Sequence, residues 1–333
     1  MRVEAVGYSE EAASRDAMDA PEALTNLNFT VVVPTYNGAK RIPPVLEKLK
    51  HQIIPEGLRW EVIVVDNNSR DETASVVQQF QQTWPSAVPL KYVFEAKQGL
   101  AYARQCGIDH ASGELVGFLD DDNWPAENWV AEATQFGREH PRAGAYGGRI
   151  QGVFEAQPDE SVRPLLRFLA IRDYGDRPRQ YQVLRLEMPP GAGLTVRKTS
   201  WLECVPSTLV NINRSGDDYE ISLRLARGGW EIWYVPAMTI GHFIPASRLK
   251  REYLLNLTHL YGLCTCKLLM TVTPVWRKPF VLSKSFLGSL KRILTHHYRY
   301  AFGHSSLEAD CMLAFHVGNL KSPIYYLGSL FSR

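Results

Sequence analysis

The sequence predicts an α/β fold, with a mostly parallel central sheet covered by helices on both faces. Two observations carry this reading. Apolar runs of about five to seven residues alternate with helical spacings through the first half of the chain, as parallel strands buried on both sides require. The runs also end in polar or acidic residues, in "VVVPTYN", "VIVVDNNS" and "LVGFLDDDN". Open α/β sheets bind their ligands at that carboxyl rim.

The elements follow in order. "FTVVVPTY" is a β-branched strand, and "AKRIPPVLEKLKHQ" has helical spacing. "WEVIVVDNNS" gives a second strand and "RDETASVVQQFQQTW" a second amphipathic helix. "LKYVFEA" leads into the helix "KQGLAYARQCGIDHAS", and "ELVGFLD" into "PAENWVAEATQFGREH". The second half is less regular. "AYGGRIQGVFE" predicts one strand, and "GAGLTVRKTSWLECV" a strand followed by a helix. "SGDDYEISLRLARGGW" predicts a helix closed by Gly228-Gly229, and "WEIWYVP" another strand. Beyond His242 the chain reads as helical and basic to its end.

The 333 residues carry a net charge of only +2, but the charge is unevenly spread. Residues 243–333 hold 12 Lys/Arg against 3 Asp/Glu, while the preceding part is acidic. Such a split predicts an anionic partner for the C-terminal region. Without a nucleic-acid motif, a membrane surface is expected rather than nucleic acid. The longest apolar candidate, "YLLNLTHLYGLCTCKLLMTVTPVW", is interrupted by Asn256, His259, Lys267 and Pro274 and is not expected to span a bilayer. Five scattered cysteines without paired spacing are expected to be reduced thiols. Residues 1–27 contain no apolar stretch of the signal-peptide kind and are expected to form an acidic, flexible leader. Four N-x-[ST] matches carry little weight in that context. The expected location is cytoplasmic, peripheral on the inner face of the plasma membrane where the basic region binds it.

Three consecutive aspartates, Asp120, Asp121 and Asp122, close an apolar strand. Like charges in a row are costly to desolvate, so either a solvated capping turn or a bound cation must account for them. The rim lacks a G-x-x-x-x-G-K-[ST] loop, and no G-x-G-x-x-G follows a strand. A nucleotide held here would therefore rely on a metal at its phosphates. Asp66, with Thr35 and Tyr36 on the neighbouring strand end, suits recognition of a nucleobase, while an Asx-type turn is the structural alternative. Asp217 and Asp218 open a helix, where acids are favoured as caps and by the helix dipole, or where one could serve as a base.

Together these segments resemble the GT-A fold of family 2 glycosyltransferases, inverting enzymes that use nucleotide sugars. The likeness covers residues 29–242 and rests on four motifs in order: "VVVPTYN", "VIVVDNNSRDET", "KQGLAYARQCGIDHASGELVGFLDDD" and "GDDYEISLRLARGGWEIWYVP". Where the family more often reads DDGS, this chain has Asp66-Asn67-Asn68-Ser69.

The resemblance implies a GT-A catalytic domain over 28–242, with a nucleotide-binding half at 28–125 and an acceptor-binding half at 126–242, then a basic helical region at 243–333. It implies transfer of a hexose-type sugar from a UDP-, GDP- or dTDP-sugar to a saccharide or lipid-linked saccharide. Asp218 is implied as the base with Asp217 beside it, and Asp120, Asp122 and His242 as ligands of Mg²⁺ or Mn²⁺. Pro34, Thr35, Tyr36, Asp66, Asn67, Arg104 and Asp121 are implied at the donor. Gly193, Arg197 and Trp201 are implied at the acceptor. A GT-A scaffold kept only for carbohydrate or protein binding is the alternative. Retention of Asp120, Asp122 and Asp218 weighs against it.

Overall fold

The computed structural model describes residues 27–183, 186–207, 216–301, 303 and 305–331. Residues 1–26 of the expected leader lie outside the described residues. The strands and helices of the first half are β1 (Phe29–Thr35), α1 (Ile42–Lys50), β2 (Trp60–Asp66), α2 (Thr73–Gln82), β3 (Leu90–Phe94), α3 (Leu100–His110), β4 (Leu115–Phe118), β5 (Asn123–Pro125) and α4 (Trp129–Glu139). Those of the second half are β6 (Ala143–Gly147), β7 (Ile150–Phe154), β8 (Arg179–Gln180), β9 (Thr195–Arg197), α5 (Lys198–Cys204), α6 (Asp217–Arg227), β10 (Glu231–Tyr234), β11 (Ile240–Ile244), α7 (Arg251–Val272), α8 (Lys278–Arg299) and α9 (Leu307–Phe331).

The main sheet has the order β3-β2-β1-β4-β9-β6-β10-β8. Strands β3, β2, β1 and β4 are mutually parallel, as are β6 and β10, while β9 and β8 run against their neighbours. Side chains alternate across the sheet, and both faces are covered. Val31 and Val33 point into a core with α1 and with Trp129 and Phe136 of α4. Val32 points to the opposite core, with Ile108 of α3, Trp201 of α5 and Ile221 of α6. Burial on both faces is why the strand reads as an unbroken apolar run. The parallel register sets Thr35 directly beside Asp66, so the ends of β1 and β2 form one rim.

Two sequence expectations need correction. "AYGGRIQGVFE" is two strands, because the chain changes sheets at Gly147–Ile150. β6 pairs with β10 in the main sheet, while β7 pairs with β11 in a three-stranded sheet β5-β11-β7. Arg149, at the crossing, is held by Asp173 and Asp176. The chain also does not turn helical at His242. That residue lies inside β11, paired with Asn123 on one side and Gly152 on the other.

Beyond β11 the described residues are helical, and α7 and α9 are joined to the rest by shared cores. Leu254 and Cys311 pack with Val162, Leu165, Leu169 and Ile244, and Cys264 and Leu268 pack with Met188 and Leu223. Among the described residues no helix is long and apolar enough to cross a membrane. Helices α7 and α9 approach so closely that glycine is required at their crossing. A Cβ on Gly262 would lie 2.1 Å from the Phe315 carbonyl oxygen, and one on Gly318 would lie 2.2 Å from that of His259.

Gly262→Ala is therefore expected to force the two helices apart and destabilise the protein by about 1–3 kcal/mol, the usual cost of over-packing. Urea denaturation measures this. An unchanged midpoint would show that the contact is looser than described.

Candidate active site

Strand β4 brings the three aspartates to the rim, and a tight turn then fixes them. The backbone N–H of Asp120 donates to Asn123 Oδ1 (3.0 Å), and that of Asn123 donates back to the Asp120 carbonyl (2.9 Å). The turn sends each carboxylate to a different cation. Asp121 turns towards β1, where it accepts from Thr35 Oγ1 (2.6 Å) and bidentately from Arg41 (2.8 Å each). Asp122 turns towards β11 and meets Arg248 (3.1 Å) and His242 Nε2 (3.6 Å). Asp120 has only a 3.5 Å contact with Arg104, and its side chain is 33% exposed. The acidic run is tolerated because three separate positive groups divide it.

The three aspartates, Thr35, Arg41, His242 and Arg248 line one cavity of about 440 Å³, together with Pro34, Tyr36, Asn67 and Leu100. Its electrostatics are uneven. Burial, reinforced by the Asp122 charge and opposed by Arg104, pushes the Asp120 carboxyl up to about 6. Burial would raise Asp122 too, but His242 and Arg248 hold it below the usual range.

Across Arg104 stands the acidic start of α6. Arg104 is buried, and its Nη1 donates to Asp217 Oδ2 at 2.6 Å while Nη2 reaches Asp120. Asp218 accepts from the backbone N–H of Gly191 (2.8 Å) and of Tyr219 (3.0 Å). Burial and the adjacent Asp217 push its carboxyl up to about 6, against the pull of Arg104. A second cavity, of about 560 Å³, opens beside Gly216 and Tyr219. It is walled by Phe168, Tyr174, Tyr261 and Phe315, with Arg167 and Arg172.

At the end of β2, Asp66 is buried and both its oxygens are engaged. Oδ1 accepts from the Ser69 N–H (2.9 Å) and Oδ2 from the Tyr92 hydroxyl (2.7 Å). Burial, followed by the hydrogen bond to Asp66, raises the Tyr92 phenol above its ordinary value. Each carboxylate oxygen keeps a second lone pair. Asn67 locks the 95–99 loop, donating to the Glu95 and Lys97 carbonyls and accepting from the Gly99 N–H. Tyr36 is exposed at the cavity mouth, next to Pro34.

Three residues expected at the acceptor lie elsewhere. Arg197 is carried away from the rim by antiparallel β9. It sits opposite Leu115, bound to Glu114 (2.6 Å) and the Gly137 carbonyl (2.6 Å). Trp201 is a core residue between α5 and the sheet, 5.7 Å from the Phe118 ring, with its indole N–H on Gln105. Gly193 adopts φ +70 against Ile240, whereas Gly191 faces the site. A Cβ on Gly191 would fall 2.2 Å from Arg104 Nη2, so only glycine leaves room for the guanidinium.

Arg104 itself is not a rim group open to a ligand but a buried bridge. Arg41, Arg248, Gly191 and Tyr92 were not singled out by sequence. Arg41 could have been, since "PTYNGAKRIPP" sets it just past the first strand, but nothing local distinguishes Arg248 among the basic residues after β11.

Among the described residues, no three His, Cys, Asp or Glu side chains converge closely enough to hold a metal alone. The donor set nevertheless fits a hard divalent cation completed by phosphate oxygens, which needs only one or two carboxylates. His242 Nδ1 lies 3.0 Å from the Leu169 carbonyl, an acceptor only, so Nδ1 donates there and Nε2 is left facing Asp122. Arg248 stands at that position now, 3.1 Å from Asp122 and 3.3 Å from Nε2.

A model of glycosyl transferase family 2 matches residues 30–195. Glycosyltransferase AglE of Haloferax volcanii is 35% identical over 101 residues, 30% of this chain and 32% of that protein. GalNAc(5)-diNAcBac-PP-undecaprenol beta-1,3-glucosyltransferase of Campylobacter jejuni is 38% identical over 97 residues, 28% of this chain and 29% of that protein. Each match thus spans less than a third of the curated relative's length. Among solved structures, mannosyltransferase PcManGT of Pyrobaculum calidifontis, in complex with GDP-Man and Mn²⁺, aligns over 94% of this chain and 88% of its own. The TM-score is 0.58 at 20% identity. The 1–349 fragment of S. aureus TarS aligns over 91% and 92%, with a TM-score of 0.51 at 16% identity. These two establish a shared fold.

Arg104→Met would leave Asp120 and Asp217 without their cation and should cost about 3–5 kcal/mol, as breaking a buried ion pair does. Adding Asp217→Asn should recover part of that loss in a double-mutant cycle. Strictly additive losses in urea would mean that the pair is not coupled.

Proposed function

This chain belongs to glycosyl transferase family 2, and from that premise we propose that it is an inverting, cation-dependent glycosyltransferase acting on a nucleotide-sugar donor. The observation that carries the proposal is one cavity lined by Asp120, Asp122 and His242, separated by a single buried arginine from the Asp217-Asp218 pair.

In this reading the nucleoside stacks by Tyr36 and is read near Asp66, and its diphosphate lies over Asp120 and Asp122. These two and His242 would hold Mg²⁺ or Mn²⁺, which neutralises charge on the departing diphosphate. Arg248 and Arg41 are near enough to shift onto phosphate oxygens. Asp218 takes the proton of the acceptor hydroxyl as its oxygen attacks the anomeric carbon, the glycosidic bond to phosphate breaks, and configuration inverts. The raised pKa of Asp218 suits a base working near neutral pH, and Asp217 with Arg104 fixes its surroundings. The aromatic cavity beside Tyr219 takes the acceptor, a saccharide or lipid-linked saccharide whose sugar faces can pack on tyrosine and phenylalanine rings.

Asp122→Asn should keep the fold, since Asn123 can still donate to its Oδ1. It should weaken cation-dependent binding of the nucleoside diphosphate by about 10–100-fold. Unchanged affinity in calorimetry with Mn²⁺ would remove Asp122 from the cation site.

Asp218→Asn should bind donor normally and turn over about 10²–10⁴-fold more slowly. In the parent enzyme the base must be ionised, so kcat/KM should level off about one pH unit above the Asp218 pKa and fall as pH drops through about 6. The sign for stability is opposite. A carboxyl pushed up in the folded state destabilises that state once ionised, so Asp218→Asn should melt no lower than the parent at pH 7.5. Parental turnover across the pH range would reduce Asp218 to a helix cap.

A further inference from the structure

Helix α8 turns large apolar side chains outward. Its inward side is seated on α9 through Ser289, fully buried and accepting from Asn319 (3.0 Å), and Ser285, which donates to the same residue (3.2 Å), with Leu282 and Ile293 half-buried on that side. Its outward side carries a row of apolar residues. Phe280, Leu287, Leu294 and Tyr298 recur at spacings of seven, seven and four, which places them on one stripe of an α-helix. Trp276, in the turn just before the helix, continues the row. These five side chains are 61–86% exposed. The stripe from Phe280 to Tyr298 runs about 27 Å at 1.5 Å per residue. An ordered apolar row of that length on a surface marks something that covers it.

The charge around the stripe says what. Lys291 lies about 35° and Lys284 about 55° from its centre at 100° per residue, and Lys278, Arg292 and Arg299 add to them. The helix has no Asp or Glu. A second copy of the same face would bring like charges together, and a nucleic acid offers nothing to bury the rings and leucines. An anionic bilayer surface satisfies both. Its headgroups pair with the lysines, and the stripe enters the boundary with the acyl chains.

We infer that α8 is an interfacial membrane helix that lies flat on anionic bilayers through Trp276, Phe280, Leu287, Leu294 and Tyr298, with Lys284 and Lys291 on headgroups. Among the described residues no helix can cross the bilayer, and the contact inferred for α8 is with the bilayer surface. The inference does not rest on the proposed reaction.

The test is flotation of the full chain with phosphatidylcholine vesicles, with and without phosphatidylglycerol, at low and high salt. The parent should float with the anionic vesicles and less so at high salt. Phe280→Ser/Leu287→Ser/Leu294→Ser should lose that partitioning by tenfold or more while keeping its melting temperature, because the replaced side chains are exposed. Lys284→Glu/Lys291→Glu should lose the salt-sensitive part. No flotation by the parent, or equal flotation by the triple serine variant, would overturn the inference. So would a concentration-dependent dimer in ultracentrifugation that the triple serine variant abolishes, since a second copy would then be the occupant.

Discussion

The arrangement of this molecule turns on one buried guanidinium. Arg104 lies between Asp120, at the end of a central strand, and Asp217, at the start of a helix over a hundred residues later. Without it, the Asp120 and Asp217 carboxylates would share this part of the rim with no cation between them. With it, the part of the chain proposed to hold the donor and the part proposed to hold the base are fixed in one frame. The bridge needs two local conditions. Helix α3 must deliver Arg104 to the rim, which its start at Gly99, pinned by Asn67, achieves. The 189–194 turn must leave space, which Gly191 does. Gly191 also donates its N–H to Asp218, so one small residue serves both the bridge and the proposed base.

Much of the first half was legible in sequence because a parallel strand buried on two faces leaves an unmistakable apolar run, as in Val31 to Val33. The acidic rim was legible for the same reason, since Asp66 and Asp120 each follow such a run directly. What escaped notice depended on distant contacts. Nothing near Arg248 marks it as the partner of Asp122, and Arg197 reads like a pocket arginine until antiparallel β9 carries it to the far end of the sheet. Trp201 could not be told from a sugar platform, because an amphipathic tryptophan serves either purpose. The sheet change after Gly147 was hidden by the similar strand propensity on both sides of it.

The C-terminal helices are part of the same body rather than an appendage. They complete the core under Ile244 and wall the aromatic cavity beside α6. Close glycine contacts between α7 and α9 bring these helices together, and α8 is seated on α9 through the hydrogen bonds of Ser285 and Ser289 with Asn319.

The central claim is that the carboxylates at the end of β4 exist to receive a cation together with a nucleoside diphosphate. Calorimetric titration of the parent protein with UDP, GDP and dTDP, each with and without Mn²⁺, tests it most directly. The account predicts that at least one of the three binds about tenfold or more tightly with the cation present, a difference of about 1.4 kcal/mol. Binding that ignores the cation for all three, or no binding to any, would contradict it.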